Sequence, residues 1–132
     1  MSAVVLVIEP TSDNYLSVYL LRGNKLHCLR VAASKLDQAL LPLIDKVLKR
    51  NKVKPIHLSA IGLVQSPMSL ASQRLAVSVV NSLGWAWGVP VFAHHGVVTV
   101  AAINKSLKKA RKVFIKAEYS SKPRIGKSKN SS

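Results

Sequence analysis

The chain has 132 residues, 48% of them hydrophobic, which is enough length and apolar content for one folded domain and excludes a wholly disordered protein. Its 20 Lys plus Arg against 5 Asp plus Glu give a net charge of +15. The excess is uneven: residues 1–104 hold 10 basic and 4 acidic side chains, residues 105–132 hold 10 and 1. A basic tail on a nearly ordinary body points to an electrostatic contact with nucleic acid or an acidic partner, or simply to a solubilising extension.

In chain order, Ala3–Ile8 is an apolar run suited to a central buried strand, and Glu9 ends it too early for a secretory signal. Pro10–Asn14 has turn composition, Tyr15–Leu21 is rich in strand formers, and Arg22-Gly23-Asn24 forms a tight turn into Lys25–Val31. These segments predict a three-stranded antiparallel meander. The lone cysteine, Cys28, fits a reducing compartment. A first helix follows to about Asn51, with Ser34 and Asp37 spaced as in a capping box. Ala60–Val64 reads as a buried strand, Gln65–Ser69 as a loop, Leu70–Leu83 as a helix capped by Ser69, and Val89–Ala93 as a strand. A third helix is expected over Gly96–Ala110. No charged residue occurs from Leu75 to Asn104, but Asn81, Gly84, Gly88, Pro90 and His94-His95 divide that stretch, so it is not read as a membrane span. Trp85 and Trp87 are expected in the core or at its edge.

Three antiparallel strands followed by helix-strand-helix-strand-helix is the element order of the α/β ribonuclease-H-like fold, which also underlies actin and the sugar kinases. The expected division is one domain over residues 1–112 and a basic tail over 113–132.

The first helix carries apolar residues at Leu36, Ala39, Leu40, Leu41, Leu43, Ile44, Val47 and Leu48, an arc of roughly 200° where sheet packing needs only somewhat over ~100°. Pro42 within it removes one backbone hydrogen bond and is expected to kink the helix near Gln38. The second helix has a single charge, Arg74. Its small residues Ala71, Ser78 and Ser82 fall with Leu75 on one side, and Ala76, Val79, Val80 and Leu83 on another. Both helices therefore read as two-sided, one side for their own sheet and one for a partner.

Catalytic chemistry is thin. The loop Gln65–Ser69 stands where many nucleotide-binding proteins place glycine-rich phosphate cradles, yet it contains no glycine. Glu9 is followed by Pro10, and Asp13 reads as a turn former. His94 and His95 are adjacent and would point apart on a regular element, which suits a single metal poorly; no metal or cofactor is expected. The basic residues Lys108, Lys109, Arg111, Lys112, Lys122, Arg124, Lys127 and Lys129 could neutralise several phosphates in a salt-sensitive, sequence-independent manner.

The chain resembles the TsaB (YeaZ) family, the dimerisation subunit of the bacterial tRNA threonylcarbamoyladenosine machinery. The resemblance rests on Ile8-Glu9-Pro10-Thr11-Ser12 with Leu16-Ser17-Val18, on Leu40-Leu41-Pro42-Leu43-Ile44-Asp45, on the 60–93 unit with Gly88-Val89-Pro90-Val91, and on Tyr119 and Pro123 near the end. Against the family's Gly-Pro-Gly-Ser-Phe-Thr-Gly-Leu-Arg stretch, Ser66–Arg74 keeps Pro67, Ser69 and Arg74 but no glycine. Most of the family's second lobe is also missing, so a nucleotide site between lobes is not expected.

The resemblance implies a non-catalytic scaffold that supports a TsaD-like threonylcarbamoyltransferase through its first two helices. Leu40, Ile44, Leu48, Leu75 and Ser78 would lie at or near the partner interface, with Arg74 at its rim. It further implies a TsaE-like ATPase in the assembly. The basic tail could gather tRNA for that complex, and two copies could pair through the same surface when the partner is absent. The lone cysteine, with no signal or membrane span read in the sequence, leads us to expect a cytoplasmic location. The alternative reading is a small basic RNA-binding protein acting through its C-terminal tail.

Overall fold

The computed structural model describes residues 3–65 and 68–110. A five-stranded sheet has the order β3-β2-β1-β4-β5. The strands are β1 (Val4–Pro10), β2 (Tyr15–Arg22), β3 (Lys25–Ala32), β4 (Ala60–Val64) and β5 (Val91–His94); the helices are α1 (Leu36–Arg50), α2 (Leu70–Trp87) and α3 (Val100–Leu107). β1, β2 and β3 pair antiparallel, whereas β4 runs parallel to both β1 and β5. This is the ribonuclease-H-like order expected from the sequence.

β1 lies at the centre of the sheet, which explains its unbroken apolar run: Val5, Leu6, Val7 and Ile8 are all fully buried. Alternation divides the core between two faces. Leu6, Ile8, Leu16, Val18, Leu20, Ile61 and Leu63 meet α1 and α2 on one face. Val5, Val7, Leu21, Ala60 and Phe92 meet Ile103 of α3 on the other. The β1–β2 turn is fastened by Thr11, whose N–H donates to the Tyr15 carbonyl at 2.9 Å and whose Oγ1 accepts the Tyr15 N–H at 3.1 Å. The Thr11 hydroxyl also lies against the Asp13 carboxylate, in keeping with Asp13 as a turn former.

Several local expectations need correction. α1 begins after Lys35, which provides no side-chain cap, so Ser34 is not its cap. Pro42 lies inside this helix, which is one element from Leu36 to Arg50. A single 3-10 turn over Pro55–His57, unforeseen in the sequence, precedes β4. α2 runs a turn beyond Leu83 and ends at Gly88, whose left-handed φ of +66° and N–H bonds back into the last turn close the helix. Gly96, at φ +90°, belongs to the turn before α3, and Thr99 caps that helix by accepting from the Ala102 N–H.

Candidate functional site

α1 and α2 share one face of the sheet, α1 resting chiefly on β2 and α2 on β4, with the two helices in contact. The inward row of α1 is Leu40, Leu43, Ile44, Val47 and Leu48; that of α2 is Gln73, Ala76, Val80 and Gly84. Leu36 and Ala39 also pack, half-buried, against this core. The broad arc of α1 is therefore consumed by its own sheet, and of its eight apolar residues Leu41 is the one left exposed.

This assigns the residues expected at a partner interface to different places. Leu40, Ile44 and Leu48 are core residues of this chain, at most 5% exposed. Leu75 is half-buried, and Arg74 and Ser78 are exposed. The outward apolar surface of the two helices is carried instead by Leu41, Leu70 and Trp85. Trp85 is 80% exposed, which corrects its expected place in the core; Trp87 does pack against it. The signal for Trp85 was positional, since once α2 is carried past Gly84 it follows Ser78 and Ser82 at helical spacing. Trp85 flanks a depression of about 540 Å³ with Ser78, Asn81, Ser82 and Ala86. A second, mainly apolar groove of about 470 Å³ opens between the helices, lined in part by Leu41, Ile44, Leu48, Leu83 and Trp87.

A polar cluster occupies the other face of the sheet, near the end of β1. The Tyr19 hydroxyl donates to Glu9 Oε1 at 2.6 Å. Arg30 Nη1 donates to Oγ of the buried Ser17 at 3.3 Å, and its guanidinium lies 4.6 Å from the centre of the Tyr15 ring. Burial first, then the hydrogen bond to Glu9 and its charge, push the Tyr19 hydroxyl above the ordinary tyrosine range. Partial burial and the Glu9 charge likewise push the Cys28 thiol up, with Arg30 opposing. A raised pKa leaves less thiolate, so this cluster disfavours a nucleophilic cysteine.

The β4–α2 loop begins with the Gln65 N–H donating to the His94 carbonyl at 2.8 Å and ends with Ser69 capping α2 by accepting the Ser72 N–H at 3.1 Å. Ser66 and Pro67 between them lie outside the described residues. His94 is buried: its Nε2–H donates to the Val97 carbonyl at 3.0 Å and Nδ1 lies 2.7 Å from Ser106 Oγ. That pairing, invisible in the sequence, staples β5 to α3 and engages both ring nitrogens. Among the described residues no three His, Cys, Asp or Glu side chains gather as a metal site, and no helix is long and apolar enough to cross a membrane.

Of the basic residues expected at nucleic acid, Lys108 and Lys109 follow α3 directly and are exposed. Arg111, Lys112, Lys122, Arg124, Lys127 and Lys129 lie outside the described residues, as does the expected domain boundary at 112.

Comparison with known proteins bears on both helices and sheet. The family TsaD, tRNA N6-adenosine threonylcarbamoyltransferase, matches residues 30–113, well over half of the chain. No curated protein matches the sequence. Among solved structures, YeaZ from Pseudomonas aeruginosa is similar at 26% identity with a TM-score of 0.64, over 74% of this chain and 44% of that one. A second structure, a Pseudomonas aeruginosa protein described by its similarity to peptidase YeaZ, matches at the same identity and TM-score over 74% of this chain and 43% of its own. The chain thus spans less than half the length of the structures it matches.

Proposed function

The chain belongs to the TsaD family of tRNA N6-adenosine threonylcarbamoyltransferase, and on that premise we propose that it is a YeaZ-like, non-catalytic subunit supporting a TsaD-like enzyme in tRNA threonylcarbamoyladenosine modification. The observation that carries this reading is the outward surface of the α1–α2 face. α2 bears one charge in 18 residues, presents Ala71, Ser78 and Ser82, and exposes Leu70 and Trp85, while α1 exposes Leu41. A helix face bathed in solvent ordinarily carries Lys and Glu, whereas small residues let a second helix approach closely. Burying Trp85 and the exposed half of Leu41 against a partner would contribute up to about 1.5–3 kcal/mol for each side chain.

The reading of the subunit as non-catalytic is supported by the β4–α2 loop, whose sequence offers no glycine cradle, and by Glu9, whose carboxylate is engaged by Tyr19. In this proposal the partner holds the substrates, a TsaE-like ATPase completes the assembly in the cytoplasm, and tRNA meets the basic C-terminal residues. When the partner is absent, the same α1–α2 face pairs two copies of this chain.

The test is co-expression with the TsaD-like protein of the same genome, followed by capture through a tag on this chain. Stoichiometric co-purification, lost in a Leu41→Asp, Trp85→Asp double variant that melts at an unchanged temperature, supports the proposal. Equal capture by the double variant overturns it.

A further inference from the structure

The two ends of the sheet carry very different charge. α1 follows β3 and returns along the sheet, so its C-terminus arrives beside the β2–β3 turn, where the Arg22 guanidinium donates to the Asn51 carbonyl. The 3-10 turn then leads into β4 next to the start of β1, where the Ser59 N–H donates to the Val4 carbonyl at 2.7 Å. This gathers Arg22, Lys25, Lys46, Lys49, Arg50, Lys52 and Lys54 at one end of the body, all exposed. Their single acidic neighbour in these segments is Asp45, which pairs with Lys49 at 3.1 Å, leaving a net +6. At the opposite end Arg30, Lys35 and Arg74 offset Glu9, Asp13 and Asp37.

Helix chemistry accounts for part of this gathering and no more. Lys49 and Arg50 complement the negative end of the α1 dipole. The terminal carbonyls are otherwise served locally, Val47 by Asn51 Nδ2 at 2.8 Å and Asn51 by Arg22. Neither role needs Lys25, Lys46, Lys52 or Lys54. Lys52 in particular sits at φ +55°, a left-handed conformation that favours glycine or asparagine, yet a lysine occupies it. Beside Arg50 a concavity of about 390 Å³, lined by His27, Leu29, Val47, Arg50 and Asn51, interrupts the cationic surface.

We propose that this end of the folded body, over the β2–β3 turn and the C-terminal part of α1, is a nucleic-acid surface beyond the basic residues that follow α3, and that it grips the phosphodiester backbone of RNA. The choice of RNA over another polyanion rests on the reading of the chain as part of a tRNA-modifying assembly; the existence of the surface rests on the charge arrangement. The occupant is bound through phosphates, without base readout, because the surface offers point charges on flexible stems. Each phosphate neutralised releases counterions, so binding weakens steeply with salt.

The test titrates unmodified tRNA into the full-length chain at several salt concentrations. Lys25→Gln, Arg50→Gln, Lys54→Gln is compared with wild type and with the charge-retaining Lys25→Arg, Lys54→Arg variant. The neutral triple variant should bind at least tenfold more weakly at low salt and flatten the slope of log affinity against log salt by about two. The charge-retaining variant should match wild type. In wild-type protein, tRNA should protect Lys25, Lys46, Lys52 and Lys54 from acetylation, a readout that holds even if a variant misfolds. Unchanged affinity and slope in a folded triple variant, or no protection of these lysines, overturns the proposal. Binding of polyglutamate with the same affinity and the same loss in the triple variant overturns RNA as the occupant. Capture of the TsaD-like partner is scored in parallel: its loss with RNA binding intact defeats the functional reading alone, and the converse defeats this surface alone.

Discussion

Tyr19 and Glu9 are diagonal neighbours across the β1–β2 pair, Tyr19 standing opposite Val7 and Glu9 opposite Ser17, and the phenol donates to the carboxylate at 2.6 Å, a contact that makes the fold sensitive to alkaline pH. The native Tyr19 hydroxyl titrates above the ordinary value, so the folded state holds that proton more tightly than the unfolded chain. Its contribution is full below the unfolded tyrosine value of about 10 and is lost as pH rises past it. Melting curves between pH 8 and 11 should show a falling midpoint, and Tyr19→Phe should flatten that fall.

Cys28 should behave as a sluggish thiol. Its raised pKa, due to partial burial before the charge of Glu9, lowers the thiolate fraction at neutral pH. The pH midpoint for alkylation by iodoacetamide should lie above the value of about 8.5 for a free thiol. Glu9→Gln should lower it only in part, because burial remains.

Two glycines should differ in their intolerance of a methyl group. A Cβ on Gly62 would lie 2.6 Å from Phe92 Cε2, and Phe92 is itself buried with little room to yield. Gly62→Ala should cost about 1–3 kcal/mol, the range for overpacking a core. Gly88 has open space around it but a φ of +66°, so Gly88→Ala should cost about 1–2 kcal/mol through conformation alone. Pairing Phe92→Leu with Gly62→Ala should recover part of the first loss in a denaturant melt and none of the second.

Ile44 and Leu41 are three residues apart in α1 and should respond oppositely to Asp. Ile44→Asp places an unpaired carboxylate in the core and should cost several kcal/mol, enough to unfold a domain of this size. Leu41→Asp alters an exposed position, where substitutions are usually within about 0.5 kcal/mol. Circular dichroism with partner capture separates them: Ile44→Asp loses both signals, Leu41→Asp the second alone.

Much of the fold was legible because local signals agreed with tertiary ones. β4 matches its expected bounds residue for residue, and the Gly23-Asn24 turn set the β2–β3 register. Structure departs from local signal where a residue serves a distant contact. Gly84 looked like a helix stop, yet it sits inside α2 because a Cβ there would collide with Val91 of β5. Ser34 and Asp37 had capping spacing, but the chain enters α1 through Lys35 without a side-chain cap. The apolar arc of α1 is as wide as its sequence indicates, and Leu36 and Ala39 use that width to pack against this chain's own core. The Arg22–Asn51 and His94–Ser106 contacts join segments 29 and 12 residues apart, and no periodicity announces such pairs.

The position of β3 at the margin of the sheet has a consequence for how this protein associates. Among the described residues no strand pairs along its outer side, which leaves a row of backbone donors and acceptors able to template another chain. Lys25 and Arg30 stand along that margin, and charged side chains on an edge strand oppose its pairing with another chain. The opposite margin, β5, is only four residues long. Strand-to-strand growth, the route towards fibrils, is thereby discouraged at both margins, and the helical face is left as the surface where docking is least opposed.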